Sequence, residues 1–417
     1  MTSYFYKCFN CGKELPSKQV EENFFYLCPT CGKAEKNQPL TGVLKVEYDY
    51  AELKKKLSRE KLLMLPAGQF WLYPELWPIN FVKGILDINH LDRIRLVSNP
   101  YFELNFSGKS FSVFDDTRNP TLSFKDRASS LVAVKAIELE IKEIAAASTG
   151  NAGSSLAGIC SRLGIKSHIF VPENIPSAKR IQIQAFGANI YLVKGDYDEA
   201  FDLCLEISSV KKWYNRNTAY NPLTIEGKKS AAYDIFISTK GNIPDIIFVP
   251  VGDGVIISGI YKGFWELLQL GWIDKLPRLI GVQSQGSNAL VRYLSSKKFE
   301  YKPAHTIADS ISAGAPRNLF MAADPVIQTN GEAIEVTDEE IINAQKIVAQ
   351  NFGFLIEPSS AASFAGYSKY LEMNKLNTQK VLLMFTANGL KDLNSLGKWN
   401  ESPSIKSAEE WKSILNG

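Results

Sequence analysis

The chain has 417 residues, of which 45% are hydrophobic, and a formal net charge of +3. This length predicts two or three domains with a sizeable core, and so mild a charge argues against a nucleic acid or a membrane as a partner. No apolar run reaches the length of a membrane span, and residues 1–10 lack the apolar core of a signal peptide. We therefore expect the protein in the cytoplasm.

The N-terminal segment carries two Cys-x-x-Cys pairs, Cys8 with Cys11 and Cys28 with Cys31, and a glycine follows each pair. This spacing is typical of a four-cysteine zinc ribbon, in which thiolates fill all four positions and the metal is structural. Two disulfides are the alternative, but nothing in the chain indicates secretion. The sequence therefore predicts a zinc ribbon over residues 1–45.

Lys125 lies where a predicted strand gives way to a predicted helix. Residues 111–114 are typical of a buried strand, Asn-Pro at 119–120 breaks it, and residues 128–139 carry apolar side chains at helical spacing. The positive end of a helix and partial burial both disfavour an ammonium group, so both lower the pKa of a lysine there. A Schiff-base lysine needs such a pKa, although a solvated surface lysine is the common alternative.

Three later strands each lead into a turn of small or hydroxyl residues. These strands are residues 143–148 before the turn 149–153, residues 245–251 before 252–259, and residues 380–385 before Thr386. Backbone amides in such glycine turns, at the start of a helix, attract an anion such as a phosphate. Any one turn could be an ordinary loop, but together with Lys125 they predict one site.

Strands and helices alternate after an irregular segment, residues 46–110, that is rich in Trp, Tyr and Pro. The further predicted strands are residues 165–171, 188–193, 212–214, 278–283 and 332–336. This alternation predicts an α/β fold with parallel sheets and helices on both faces.

Five segments in this order resemble the fold-type-II pyridoxal-phosphate (PLP) enzymes of the tryptophan synthase beta superfamily, and most of all the threonine synthases. They are N-P-T-L-S-F-K-D-R at 119–127, S-T-G-N-A-G at 148–153, A-D-S-I-S-A-G-A-P at 308–316, E-P-S-S-A-A-S at 357–363 and T-A-N-G-L-K-D at 386–392. The resemblance implies two open parallel-sheet α/β domains behind the ribbon, with PLP in the cleft between them. The implied ranges are 46–132 plus 226–417 for the large domain and 133–225 for a small, mobile, substrate-side domain. A homodimer is the family expectation.

The resemblance also implies a role for each matching residue. Lys125 would bind PLP covalently and shuttle a proton, Phe124 would lie beside the ring, and Thr386 would bind the pyridine nitrogen. A hydroxyl at that nitrogen favours elimination and replacement over transamination. The cofactor phosphate would be held by Gly252, Asp253, Gly254, Val255 and Ile256. The substrate carboxylate would be held by Ser148, Thr149, Gly150 and Asn151, with Asn151 also donating to the phenolic oxygen of the cofactor.

The resemblance is weakest where a threonine synthase holds the phosphate of its substrate. Residues 221–230 read N-P-L-T-I-E-G-K-K-S, whereas the family pattern is N-P-x-R-x-E-G-x-K-T. Thr224 replaces the arginine, Ala219 replaces a serine, and Asp253 replaces an asparagine of the phosphate turn. Losing a guanidinium and gaining a carboxylate should weaken the binding of a dianion.

Thr224 occupies the arginine position of the family pattern and Lys229 its lysine position, and these two are the expected substrate contacts in this segment. A phosphorylated substrate would then need a substitute cation, which Arg216, Lys228 or Lys229 could supply.

The expected activity is that of a PLP-dependent carbon–oxygen lyase acting on a small amino acid. Threonine synthase, which converts O-phosphohomoserine to L-threonine and phosphate, is the first interpretation. The alternatives are a β-replacing synthase of the cysteate-synthase type and a serine/threonine dehydratase, both with a non-phosphorylated substrate. A PLP-binding or interaction protein without turnover is a further class, against which the intact Lys125, Asn151 and Thr386 argue.

Overall fold

The computed structural model describes residues 4–80, 88–148, 150–400 and 403–415. The strands are β1 (Tyr4–Cys8), β2 (Glu14–Pro16), β3 (Leu44–Tyr48), β4 (Tyr101–Phe106), β5 (Lys109–Asp115), β6 (Glu143–Ala147), β7 (Lys166–Pro172), β8 (Asn189–Val193), β9 (Tyr214–Asn215), β10 (Ile246–Pro250), β11 (Arg278–Ser284), β12 (Glu332–Val336) and β13 (Val381–Phe385). The helices are α1 (Ser17–Glu22), α2 (Tyr50–Lys56), α3 (Arg59–Leu63), α4 (Ile88–Arg93), α5 (Lys125–Glu138), α6 (Asn151–Leu163), α7 (Ser177–Ala185), α8 (Tyr197–Lys211), α9 (Leu223–Ser238), α10 (Val255–Gln269), α11 (Ala289–Ser296), α12 (Leu319–Gln328), α13 (Asp338–Phe352), α14 (Pro358–Glu372), α15 (Leu393–Gly397) and α16 (Ala408–Leu415).

Two open sheets confirm the predicted α/β fold. One has six strands in the order β12-β11-β10-β13-β5-β4, and the other has four in the order β8-β7-β6-β9. All neighbouring strands of both sheets are parallel except β4 and β5. The central strands β10 and β13 are buried along their whole length, because helices cover both faces of such sheets.

The antiparallel edge strand β4 was not predicted. It pairs with β5 from Tyr101 opposite Phe114 to Phe106 opposite Lys109. Four of its six residues are aromatic or apolar and suit a strand, but none is fully buried, because β4 lies at the edge of the sheet. The segment 46–110 is thus more regular than the sequence indicates, since it also contains α2, α3 and α4.

Helix α9 is the central packing element behind the site. Every residue from Leu223 to Ile237 is buried. Two glycines permit its close approach to α5 and α10: a Cβ on Gly227 would lie 2.4 Å from the Arg127 carbonyl oxygen, and one on Gly263 would lie 2.5 Å from that of Lys229. Helices α5 and α10 are therefore both packed closely against one buried helix.

A third, three-stranded antiparallel sheet, β2-β1-β3, forms the N-terminal segment. Strand β3 pairs with the whole of β1, from Tyr48 opposite Tyr4 to Leu44 opposite Cys8. Among the described residues, no helix has the length and hydropathy that crossing a bilayer requires. The division into domains at residues 45, 132 and 225, the homodimer and the cytoplasmic location stay predictions.

Candidate active site

A cavity joins Lys125 to two of the three turns that the sequence predicted to form one site with it. Of the predicted site residues, its wall contains Lys125, Ser148, Asn151, Gly252, Asp253, Gly254, Val255 and Ile256. Further wall residues include Tyr197, Thr218, Lys228, Ser310 and Ile311. The carboxyl ends of β6 and β10 and the N-termini of α5, α6 and α10 therefore meet here, which is where open α/β sheets bind their ligands.

The turn before Lys125 is fixed to the end of β13. Leu122 adopts a left-handed backbone conformation with φ 65°, which a branched side chain rarely tolerates. The Phe124 amide donates to the Thr386 carbonyl at 2.7 Å, and the Asn388 amide donates to the Leu122 carbonyl at 3.1 Å. These bonds hold the strained turn and set the position at which α5 begins with Lys125.

The amine of Lys125 is partly desolvated. Burial, helped by the charge of Arg216 and opposed by the carboxylates of Asp253 and Glu357, lowers the pKa of Lys125 from 10.5 to about 8. At pH 7 about a tenth of such side chains carry a neutral amine. That amine is a nucleophile toward a carbonyl group and can accept a proton.

The turn between β10 and α10 has the geometry of an anion cradle. Gly254 has φ 86°, and a Cβ there would lie 2.4 Å from the Cβ of Ala322. A Cβ on Gly252 would lie 2.7 Å from the Cα of Ile311. Both positions therefore require glycine, and the free amides of the first turn of α10 face the same cavity. The Asp253 carboxylate accepts the Arg317 amide proton at 3.0 Å.

The N-terminus of α6 presents Ser148 and Asn151. Ser148 Oγ accepts from the amides of Gly150 and Gly153, each at 2.9 Å, so this hydroxyl orders the turn. The Asn151 Nδ2 group donates to Glu357 Oε2 at 2.7 Å and to Ser310 Oγ at 2.9 Å. Its Oδ1 atom has no hydrogen-bond partner among the described residues. Thr149 lies outside the described residues.

A buried ionic network beside Asn151 was not predicted. Lys179 Nζ on α7 lies 2.7 Å from Asp309 Oδ2 and 3.0 Å from Glu357 Oε1. Glu357 and Asp309 belong to two segments that carry the family resemblance, so those segments were the available signal. Lys179 belongs to none of the five segments. It is 130 residues away from Asp309 in the sequence, and only the fold brings the two side chains together.

Phe124 and Thr386 belong to the two segments that hold the site in place, the turn before α5 and the end of β13. The Phe124 ring is fully buried and lies 5.5 Å from the guanidinium carbon of Arg127. Thr386 directly follows β13, and its amide donates to Ser360 Oγ at 2.9 Å. Their predicted contacts with the cofactor ring stay predictions.

The two residues expected to contact the substrate from α9 are already bonded to other parts of the protein, and neither is among the residues of the cavity wall. Thr224 Oγ1 donates to the Asn221 carbonyl at 2.7 Å and accepts the Ala219 amide proton at 3.2 Å. Lys229 Nζ lies 2.5 Å from Glu226 Oε2 and 3.0 Å from Glu266 Oε1. We correct the sequence interpretation accordingly, because these bonds already occupy both side chains and Lys228 lines the wall instead.

The four N-terminal cysteines converge on one point. The Sγ atoms of Cys8, Cys11, Cys28 and Cys31 all lie within 4.8 Å of one another. The Cys8–Cys31 and Cys11–Cys28 sulfur distances are 3.4 and 3.7 Å, near the spacing of about 3.8 Å that tetrahedral zinc with bonds of about 2.3 Å produces. These distances exclude disulfides, and the cluster is compatible with zinc.

The loop after the second cysteine pair is attached to Arg317. Arg317 Nη1 donates to the carbonyls of Glu35 and Gln38 at 3.3 and 3.2 Å, and its Nη2 pairs with Asp198 at the start of α8. Because the Arg317 amide also binds Asp253, one residue connects the cysteine segment, α8 and the cradle.

The family described as pyridoxal-phosphate dependent enzyme matches residues 97–387. The match spans most of the chain and every segment of the cavity wall, so the chain belongs to this family. The processed form of threonine deaminase isoform 2 from Solanum lycopersicum has the same fold, with a TM-score of 0.61, 20% identity and coverage of 89% of this chain and 98% of that one.

Within the family the chain is similar to threonine synthases. It is 34% identical to the threonine synthase of Methanocaldococcus jannaschii over 402 residues, which are 95% of both chains. It is 32% identical to that of Methanosarcina acetivorans over 415 residues, 97% of this chain and 96% of the relative. The similarity therefore includes the N-terminal cysteine segment as well as the cavity.

Proposed function

We propose that the protein is a threonine synthase, which converts O-phosphohomoserine and water to L-threonine and phosphate. The observation that carries this proposal is the end-to-end similarity to two threonine synthases. The cavity agrees with it, because a desolvated lysine faces a cradle for one phosphate. The cysteine cluster lies in the separate N-terminal segment, where Cys8 ends strand β1.

The residues of the cavity fit pyridoxal phosphate. Lys125 Nζ would bind its aldehyde carbon, and the glycine turn at Gly252 and Gly254, where a Cβ would collide with neighbouring atoms, would hold its phosphate through backbone amides. Asn151 and Thr386 are the proposed contacts of the ring. When bound, the cofactor supplies an electron sink that stabilises negative charge on the substrate's α-carbon.

The other roles belong to the chain's own side chains. Lys125 Nζ would accept the proton from the α-carbon and return it later, since its pKa of about 8 suits both transfers near neutral pH. Ser148 and the N-terminus of α6 would hold the substrate carboxylate. The Lys179 ion pairs with Asp309 and Glu357 would hold α7 against the opposite wall and so limit the entry of water.

The function is tested by incubating the cofactor-loaded protein with O-phosphohomoserine and measuring phosphate and threonine together. Equal amounts of both products are the expected result. L-Serine and L-threonine serve as matched substrates without a phosphate, with ammonia and the keto acid as products. Turnover of these two substrates but not of O-phosphohomoserine would contradict the proposal and favour a dehydratase. The absence of a phosphate contact from Thr224, whose hydroxyl is bonded to the Asn221 carbonyl, would then be explained.

We also propose that Cys8, Cys11, Cys28 and Cys31 bind one structural zinc ion. Cys28→Ser is expected to remove the metal and to lower the melting temperature, because closed zinc sites contribute directly to folding free energy. Metal content by mass spectrometry and thermal unfolding are the measurements. Cys160→Ser is the control, since it also removes a buried thiol but leaves the cluster intact. One zinc per chain retained by Cys28→Ser would contradict the assignment.

A further inference from the structure

Two buried cations near Lys125 have no carboxylate partner among the residues that the structure describes. Arg216 is fully buried; its Nε donates to Ser129 Oγ at 3.3 Å and its Nη1 to Thr218 Oγ1 at 3.1 Å. Its Nη2 group has no hydrogen-bond partner among the described residues. Lys228 is 1% exposed and lines the cavity, and within the part of the chain that the structure describes no acceptor bonds its Nζ.

Every other buried cation of the described chain has a carboxylate or several neutral oxygens as partners, although Arg317 Nε makes no hydrogen bond. Those within 4 Å of a carboxylate are Arg127, Lys135, Lys179, Lys229, Lys262 and Arg317. Lys391 donates to three neutral oxygens instead. Buried charges are normally paired because an unpaired one is destabilising. The arrangement of Arg216 and Lys228 is therefore a local exception that a bound anion would compensate.

The surroundings of Lys228 are strongly positive. Burial lowers the pKa of Lys228 well below its ordinary value, and the charges of Lys125 and Arg216 act in the same direction. Burial also lowers the pKa of Arg216 to about 10. Asp253 is the carboxylate that opposes the shift at Lys228. Two cations therefore act on Lys228 against one carboxylate, and Arg216 acts through its bond to the wall residue Thr218, so this part of the wall is positive.

Lys228 also lies at an informative position on α9. It follows Thr224 by four residues, and side chains four apart on a helix lie on the same face. A lysine at position 228 can therefore extend into the same region as the arginine that the family pattern has at position 224. Thr218 completes the group: it lines the cavity and accepts a proton from Arg216, so its own hydroxyl proton remains free for an anion.

We propose that Lys228, Arg216 and Thr218 form the recognition site for the phosphate group of the substrate, in place of the arginine that Thr224 replaces. This inference rests on the proposed function, since it assigns the phosphate of O-phosphohomoserine to these three residues. The phosphate of the cofactor has the same chemistry as the phosphate of the substrate. The experiment below distinguishes which of the two phosphates these residues bind.

The test compares Lys228→Met with Lys229→Met, the same substitution at adjacent positions of one helix. Inorganic phosphate is titrated into each cofactor-loaded protein, and its dissociation constant is measured by calorimetry together with that of the cofactor. Lys228→Met is expected to weaken phosphate binding about 10- to 100-fold, the effect of losing a charged hydrogen bond, with cofactor affinity unchanged. Lys228→Arg, which keeps the charge, is expected to retain phosphate binding.

Lys229→Met is expected to unfold at a lower temperature and, where folded, to bind phosphate as the parent does. Lys228→Met is expected to unfold at the same temperature as the parent or a higher one, because it removes an unpaired charge. Equal weakening of cofactor and phosphate would assign the cations to the cofactor and overturn the inference, as would unchanged phosphate binding. Lys228-dependent phosphate binding without any turnover of O-phosphohomoserine would refute the proposed function instead.

Discussion

Replacing Lys125 with methionine is expected to lower turnover by at least about 10²- to 10⁴-fold, the range for loss of a positioned proton-transfer group. The fold should persist, because the turn before it is fixed through the backbone of Leu122 and Phe124 rather than through the lysine side chain. Steady-state kinetics give the activity. Borohydride reduction followed by mass spectrometry shows whether cofactor is attached, and attachment is expected in the parent protein only.

The pH dependence of the parent protein provides a second measurement. Since the pKa of Lys125 is about 8, the rate of covalent cofactor attachment should rise about tenfold per pH unit below pH 8 and level off above it. The lowered pKa of Lys125 also makes the stability of the folded protein depend on pH. The folded pKa lies below the unfolded value of 10.5, so the destabilisation by Lys125 is complete below pH 8 and disappears as pH rises to 10.5. Attachment that is independent of pH would contradict this assignment.

Replacing Arg127 with methionine is expected to reduce the free energy of unfolding by about 3–5 kcal/mol, the usual effect of breaking a buried ion pair. Its Nε and Nη1 groups lie 2.6 Å from oxygens of Asp116 and Asp234, and all three side chains are buried. The substitution leaves two carboxylates without a counter-ion between α5 and α9. Urea unfolding gives the free energy.

Arg118→Met is the matched control for Arg127→Met. Arg118 also pairs with an aspartate, Asp115 at 2.7 Å, but its side chain is 47% exposed. Water reaches the guanidinium of this pair, and the buried Asp115 carboxylate keeps the Thr117 amide and hydroxyl as donors, so the control should lose much less free energy of unfolding than Arg127→Met does. Equal losses in the two variants would show that the Arg127 network does not hold the start of α5 in place.

The fold and the centre of the site were accessible from sequence because strand ends and glycine turns carry local signals. The turn at Gly252 lies directly after a buried apolar run, and Lys125 lies between a predicted strand and a predicted helix, so local pattern is sufficient to find both. The Lys179 network was not accessible in this way. The carboxylates that Lys179 contacts are 130 or more residues away from it in the sequence, and no local pattern predicts such a contact.

The choice between Lys228 and Lys229 illustrates a different limit. Adjacent residues on a helix point about 100° apart, so only one of the two faces the cavity. A surface helix would show which one through its polar face. Helix α9 is buried on every side, its polar residues are satisfied inside the core, and hydrophobic periodicity therefore carries no directional information.

The attachment of the cysteine segment has a consequence for the order of folding during synthesis. Arg317 binds the carbonyls of Glu35 and Gln38, which precede it by 282 and 279 residues. Contacts this distant along the chain form late, since the intervening segment must first be made and ordered. The cysteine segment is made well before the residue that fixes it, so it is among the last segments to be attached, and its thiols are available to a metal before Arg317 has been synthesised.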